Sequence, residues 1–255
     1  MKSIKEIKAE IENSTVESFP DIIAALSSDS RAGVKQLTAR LRSDIAKHQK
    51  EIQRIKEMKK YESALREQGF LAIAGIDEVG RGPLCGPVVS AAVIFPETSS
   101  IPYINDSKKL SPKKREELYE IITSEAVCFS AGIVNSRTID EINIFNAVKL
   151  SMKQAVSSLS SEPDIILIDY LTLDIDIPNR GIQGGDSEIY SIAAASIVAK
   201  VTRDRIMAEY AELYPEYGLE SNKGYGSQMH INALKKYGPS PIHRKSFLKG
   251  LLGTE

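Results

Sequence analysis

Apolar positions along this chain follow two regimes, which change near residue 69. In the first, Val34, Leu37, Leu41, Ile45, Ile52 and Ile55 recur at steps of three, four or seven between charged neighbours, the period of a long amphipathic helix. Ahead of it, residues 4–11 suggest a short helix, residues 19–26 are ambiguous, and residues 27–32 read as a turn. In the second regime the apolar runs shorten. Residues 71–79, 88–95 and 127–134 read as three successive strands, with a charged helix over 112–125 inserted before the third. Ser111 and Pro112 mark that helix start as N-cap and first helical residue. A further helix is predicted over residues 136–159. Residues 164–169 then form a short apolar run of the kind buried on both faces of a parallel sheet. Another short strand, 179–183, precedes one long helix over 187–214. Three antiparallel strands followed by helices alternating with parallel strands predict a mixed α/β sheet.

Charge divides the chain in the same place. Residues 31–60 carry ten Lys or Arg against Asp44, Glu51 and Glu57, a net of +7. Residues 1–65 therefore read as a small, basic, mainly helical domain, and residues 66–255 as the main α/β domain with a C-terminal helical segment. A basic helix is either a solvated face or a grip on phosphates, and the sequence leaves both open. The whole chain of 255 residues has a formal net charge of −1, so any nucleic-acid affinity must come from such local patches. Two cysteines, Cys85 and Cys128, offer neither a disulfide framework nor a paired metal-ligand spacing. With no apolar run near the length of a membrane span, a cytoplasmic protein with no membrane contact is expected.

The chemistry concentrates in residues 72–87. An apolar strand runs into adjacent carboxylates, Asp77 and Glu78, and then into a loop with Gly80, Gly82 and Gly86 around Arg81. Carboxylates at the end of a buried strand are costly unless a cation neutralises them, and hard oxygen ligands suit Mg²⁺ or Mn²⁺. A glycine loop beside them lets backbone N–H groups approach a phosphate, and Arg81 adds a planar fork of donors. Metal-assisted chemistry on a phosphate ester follows.

This stretch closely resembles the opening motif of bacterial type 2 ribonucleases H, the ribonuclease HII family, typically Asp-Glu-Val-Gly-Arg-Gly-Pro-Leu-Ala-Gly-Pro. The chain departs from it only at Cys85, where alanine is usual. The resemblance extends over about residues 70–250. It includes Asn105-Asp106-Ser107-Lys108-Lys109-Leu110-Ser111, the Gly-Gly-Asp-Ser around Asp186, the small-residue run from Ser191 to Asp204, and Lys223-Gly224-Tyr225-Gly226. It implies the ribonuclease H-like fold, and some bacterial members carry a small N-terminal substrate-binding domain.

Four acids are candidates for catalysis and for holding metal: Asp77, Glu78, Asp169 and Asp186. Asp169 ends a buried strand that can lie beside the first. Neighbouring residues of a regular strand face opposite ways, so Asp77 and Glu78 can serve one point only if the strand breaks there. Asp186 opens a helix and also fits a plain N-cap. The resemblance matches all four to the family's active-site acids and implies a two-metal site for Mg²⁺ or Mn²⁺.

For substrate, the 2′-hydroxyl is the local mark of RNA. Gly80, Arg81 and Gly82 lie close enough to the acids to hold it, and the resemblance assigns that loop to the 2′-hydroxyl at an RNA–DNA junction. It places Tyr225 where the family's junction-sensing tyrosine stacks on the sugar. Lys108 and Lys109, just ahead of a helix, suit a phosphate. Lys200 and Arg203 reach either phosphates or nearby acids such as Asp204. Residues 220–255, with six Lys or Arg against two Glu, form a candidate basic wall. His48, His230 and His243 are scattered, with His230 alone expected near the site and the others at the surface; a metal-free mechanism relying on paired histidines is therefore disfavoured. Arg81 is expected to lower the pKa of Cys85, with burial opposing.

The resemblance implies an endonuclease that hydrolyses the RNA strand of RNA–DNA hybrids. It implies cutting 5′ of single ribonucleotides embedded in duplex DNA, leaving 5′-phosphate and 3′-hydroxyl ends, by a monomer. Type 3 ribonuclease H is the nearest alternative, but its members lack the Gly-Arg-Gly-Pro loop and usually carry Glu as the fourth acid.

Overall fold

The computed structural model describes residues 2–251, and its contacts divide into two compact units that meet between Glu57 and Met58. In the first unit, α1 (Ile4–Glu12) opens on a capping box: the Ser3 side chain accepts from the Glu6 N–H and the Glu6 carboxylate accepts from the Ser3 N–H. The ambiguous segment forms α2 (Phe19–Ala25), with Pro20 in its first turn. The long helix α3 (Ala32–Glu67) runs through the unit boundary. Ile7, Phe19, Val34, Leu41 and Ile55 supply the buried positions of the first unit, while Lys35, Arg40, Arg42, Lys47, Lys50 and Lys56 are exposed.

In the second unit, β1 (Ile73–Val79), β2 (Val88–Ile94) and β3 (Cys128–Val134) form an antiparallel meander. β4 (Ile165–Asp169) pairs parallel with β1, and β5 (Asn179–Ile182) pairs parallel with β4, giving the order β3-β2-β1-β4-β5. Helix α4 (Pro112–Glu125) is capped by Ser111, whose side chain accepts from the Lys114 N–H. Helix α5 (Ser136–Ser157) covers one sheet face and the later helix α7 (Tyr190–Leu213) the other. Two glycines permit this closeness. A Cβ on Gly75 would lie 2.2 Å from the Ser191 carbonyl carbon on α7, and one on Gly132 would lie 1.9 Å from the Ser151 oxygen on α5. Register puts these two glycines on opposite faces, because Gly75 pairs with Val93 and Gly132 with Ser90.

The single helix expected over 187–214 is two helices. A short α6 (Gly185–Glu188) precedes α7, and Ile189 between them is extended (φ −114°, ψ 127°). Helix α7 has no side-chain cap of its own; instead the Ser191 N–H donates to buried Glu62, 2.8 Å away, on the last part of α3. Leu65, also on α3, packs with Ile73, Ile165, Leu167 and Ile192. Burying each such side chain stabilises by roughly 1.5–3 kcal/mol. Residues 58–67 therefore belong physically to the second unit. The chain closes with α8 (Leu219–Asn222), α9 (Gln228–Tyr237) and α10 (Lys245–Leu248). No described helix is long and apolar enough to cross a membrane.

Candidate active site

The parallel ladder ends at the pair Ile76–Ile168, so the next residues, Asp77 within β1 and Asp169 at the end of β4, lie on adjacent strands just beyond it. The break expected between Asp77 and Glu78 does not occur. β1 keeps its ladder through both, pairing Asp77 with Ala91 and Glu78 with Ser90, and turns only at Gly80 (φ +95°). Both carboxyls nonetheless lie within reach of Asp169's charge. The Asp77 carboxylate also accepts from the Glu78 N–H at 2.7 Å.

Asp186 arrives from the other side. Its alternative as an N-cap fails, since Gly184, with φ +73°, occupies that position and Asp186 sits within α6. Its carboxylate instead meets the ammonium of Lys108 at 3.2 Å. Asp169 is fixed to the same helix start, accepting from the Gly185 N–H at 2.9 Å. Lys108 is aimed by its own loop: Ser107 bonds Ser196 on α7 at 2.9 Å, and Asp106 caps the short turn over Ser107–Lys109. Lys109 reaches Ser187 at 2.8 Å. Lys108 thus stands among the acids as an internal counter-charge. Burial opposes its charge, but Asp106, Asp186 and Asp77 outweigh that and raise its pKa.

Electrostatically the cluster is short of cations. Burial, then Glu78 and Asp169, push the Asp77 carboxyl well above the usual carboxylate range. Burial raises Glu78 despite Arg81, whose guanidinium lies 3.3 Å from it. Burial and Asp186 raise Asp169. Glu78 Oε2 is buried with no hydrogen-bond partner among the described residues. An orphaned carboxylate oxygen among three acids with raised pKa values, all hard oxygen donors, fits a divalent cation such as Mg²⁺ or Mn²⁺. Asp77, Glu78, Asp169 and Asp186 are the residues that could hold it.

The glycine loop and Tyr225 face each other. A Cβ built on Gly82 would lie 3.9 Å from the Tyr225 ring, its nearest neighbour, so nothing within the protein requires glycine there. Gly80 differs: besides its positive φ, a Cβ there would meet Arg203 Nε at 2.4 Å. Arg81 and Gly82 are exposed and Tyr225 is half exposed, so the loop and the ring together border solvent.

Several residues have other roles than expected. Arg203 reaches no phosphate; it is fully buried and donates to the carbonyls of Cys85, Pro87 and Lys223. Arg244 leaves the basic wall for the same reason, donating to the carbonyls of Gly80, Arg81 and Gly86. Lys200 pairs with Asp204 at 2.7 Å. His243 is buried rather than at the surface, and it is not isolated: its Nε2 lies 3.0 Å from that of His230. His230 Nδ1 donates to the Tyr225 carbonyl, and His243 Nδ1 accepts from the Ser240 N–H, so the His243 Nε2 proton is donated to His230. Cys85 lies with them, the three ligand atoms within 4.8 Å of one another. This proton arrangement leaves His243 no free lone pair, so the trio reads as a hydrogen-bonded pair packed on a thiol rather than a metal site. Burial raises the Cys85 pKa to about 12, against the pull of Arg203 and Arg244, with no part played by Arg81. Buried arginines bonded only to carbonyls leave no signal in a sequence; the closeness of His230 and His243 to the Tyr225 motif was the one available hint.

The family model for Ribonuclease HII matches residues 74–249, and that for Ribonuclease HII N-terminal domain matches residues 3–66. The chain is 48% identical to Ribonuclease HII of Clostridioides difficile, covering 98% of this chain and 99% of that protein. It is 47% identical to Ribonuclease HII of Bacillus subtilis, over 96% of each. Among solved structures, ribonuclease H2 from Pyrococcus horikoshii aligns with TM-score 0.59 at 28% identity, covering 71% of this chain and 96% of that one. A Bst-RNase HIII structure in complex with Mn²⁺ shares the fold, with TM-score 0.52 at 18% identity over 73% of this chain and 65% of that one. The chain belongs to the ribonuclease HII family and is a hydrolytic endoribonuclease acting on the RNA of RNA–DNA hybrids.

Proposed function

We propose that this enzyme also cuts duplex DNA on the 5′ side of a single embedded ribonucleotide, leaving 5′-phosphate and 3′-hydroxyl ends. The observation that carries this reading is that Gly82 and the half-exposed Tyr225 ring lie next to each other at the surface, close in sequence to Glu78 of the acid cluster. A Cβ at Gly82 would clash with nothing in the protein, so glycine there keeps space for something outside it. A sugar stacked on the exposed Tyr225 ring would lie over Gly82. The N–H groups of Arg81 and Gly82, which have no partner among the described residues, would then meet its 2′-hydroxyl. A deoxyribose offers them no partner, which is the basis of discrimination.

Asp77, Glu78, Asp169 and Asp186 would hold two divalent ions, Mg²⁺ or Mn²⁺. When bound, such ions supply positive charge for the attacking and leaving oxygens of an in-line displacement. The residues do the rest. Lys108 and Lys109 would hold the phosphate backbone beside the acids, and Lys108 is already drawn toward them by Asp186. Arg81 shields Glu78 on the solvent side. Water is the attacking group in this reading. The histidines do not compete for that role, because His230 and His243 are buried and bonded to each other.

The exposed lysines and arginines of α3 suit residues 1–65 to a duplex-gripping role without sequence preference. The enzyme would work as a monomer in the cytoplasm, in keeping with its two free, buried thiols. The test is to incubate it with three labelled duplexes of one sequence: all DNA, DNA with one ribonucleotide, and an RNA–DNA hybrid. The cut position and end groups are then mapped. A cut 5′ of the single ribonucleotide with a 3′-hydroxyl upstream supports the reading; cleavage of the hybrid alone contradicts it.

A further inference from the structure

Beneath the Gly80–Gly86 loop lie two guanidinium groups, Arg203 and Arg244, each wholly buried. Neither is within ion-pair distance of a carboxylate among the described residues; both donate their hydrogen bonds to backbone carbonyls, and Arg244 also lies over the Phe247 ring, 5.1 Å from its centroid. Burying two like charges together is unfavourable, and it lowers the Arg244 pKa to about 10, through burial first and Arg203 second. An arrangement this costly invites the question of what it fixes.

The carbonyls identify it. Arg244 donates to Gly80 O at 2.6 Å and to Arg81 O at 3.0 Å, and also grips Gly86 O. In a trans peptide the C=O of one residue and the N–H of the next point in opposite directions. No peptide bond here is cis. With the Gly80 and Arg81 carbonyls turned inward onto Arg244, the N–H groups of Arg81 and Gly82 must point away from it, toward the exposed side of the loop. Pro83 has no N–H, so these are the last two donors before the loop turns in. The same segment also steadies Tyr225. The Arg244 N–H donates to Leu84 O, Leu84 N–H donates to Gly224 O, and His243 holds His230, which holds the Tyr225 carbonyl.

We propose that Arg244 is a specificity-determining positioning residue, which sets ribose discrimination by orienting the Arg81 and Gly82 amides from behind. This rests on the reading that Gly82 and Tyr225 take the ribonucleotide. Lysine at this position keeps the charge, but its three donors share one nitrogen and lack the planar fork by which Arg244 reaches the Gly80, Arg81 and Gly86 carbonyls from three separate nitrogens. The two peptide units would then be free to rotate, and the amides would lose their common aim.

The test compares the full-length enzyme with Arg244→Lys. Affinities for a duplex with one ribonucleotide and for the matching all-DNA duplex are measured in EDTA, and cleavage of the first in Mn²⁺. The expected result is a roughly tenfold fall in the ratio of the two affinities, the scale of two hydrogen bonds made or lost. All-DNA affinity should stay within about twofold, with kcat falling more than KM rises. A general loss of structure would weaken both affinities together and leave their ratio unchanged; that result overturns the proposal, as does a wild-type enzyme with no ribose preference in binding. A wild type that cuts at the ribonucleotide while Arg244→Lys keeps its full preference overturns this proposal alone. A wild type that does not cut there removes the underlying reading as well. Should Arg244→Lys fold poorly, amide hydrogen exchange on the wild type decides. The ribonucleotide duplex should slow exchange at Arg81 and Gly82 and the all-DNA duplex should not; equal effects overturn the proposal.

Discussion

Lys108 Nζ lies 3.2 Å from Asp186 Oδ2, so a lysine from the loop ahead of α4 is held over the start of α6, within the acid cluster. Its charge serves two opposed ends. It partly neutralises the acids, which competes with a divalent cation, and it attracts phosphate, which helps the duplex. Lys108→Met should therefore tighten half-saturation by Mn²⁺ while raising KM for the duplex, each by roughly two- to fivefold for so exposed an ammonium. Metal titration at fixed substrate and substrate titration at fixed metal read the two effects separately. Movement of both constants in the same direction would contradict this account of Lys108.

The raised pKa values of Asp77, Glu78 and Asp169 set a direction for stability. A carboxyl whose folded pKa exceeds its unfolded value contributes stability in full below the unfolded value, about pH 4, and loses it as pH rises through the folded value. Without metal, the cluster is thus a growing liability toward neutral pH. Asp169→Asn cannot ionise and keeps an oxygen to accept from Gly185. Its metal-free Tm at neutral pH should exceed that of the wild type by a few degrees, and the difference should shrink on acidification. Mn²⁺ should raise the wild-type Tm at neutral pH and have little effect on the variant. A wild type more stable than Asp169→Asn in EDTA would show that the acids are not electrostatically strained.

Gly80 and Gly82 are two residues apart yet should respond oppositely to alanine. At Gly80 the positive φ, and the clash of an added Cβ with the buried Arg203 side chain, make the substitution strained, costing about 1–3 kcal/mol of stability. At Gly82 there is space, so Gly82→Ala should change stability by less than about 0.5 kcal/mol. Cleavage at an embedded ribonucleotide should nevertheless drop by an order of magnitude or more, because the methyl takes the place of the sugar. Urea unfolding together with initial rates separates the two. Full activity in Gly82→Ala would mean the sugar does not lie over Gly82.

Leu65 lies at the edge of the region whose charge marks it as an accessory domain, but it packs under the catalytic sheet. Leu65→Ala in the full chain should cost about 2–5 kcal/mol, as for any fully buried leucine. Chemical denaturation followed by near-ultraviolet signals measures it. A loss below about 1 kcal/mol would show that α3 contributes little to the second unit.

These contrasts show what a sequence can carry. The strand order was legible because apolar runs change length and period near residue 69, and Asp77, Glu78, Asp169 and Asp186 stood out because each breaks an apolar or glycine-rich run. The split of 187–214 into two helices was not legible: Ile189 leaves the helical conformation without a glycine or proline to announce it. The supports of the site were hidden for a different reason. Arg203, Arg244, His243 and Glu62 act on groups between 13 and 164 residues away, several of them backbone carbonyls, and any sequence has a carbonyl at every position. Read from composition, Arg244 is one more basic residue of a C-terminal patch; only burial shows it as part of the loop's foundation.

The most direct measurement is cleavage of a DNA duplex carrying one ribonucleotide, in Mg²⁺, Mn²⁺ or EDTA, by wild type and Asp169→Asn. A metal-dependent cut on the 5′ side of that ribonucleotide, absent in EDTA and absent in the variant, is expected. Cleavage that ignores the single ribonucleotide and needs longer hybrid stretches, or that survives Asp169→Asn, would contradict it.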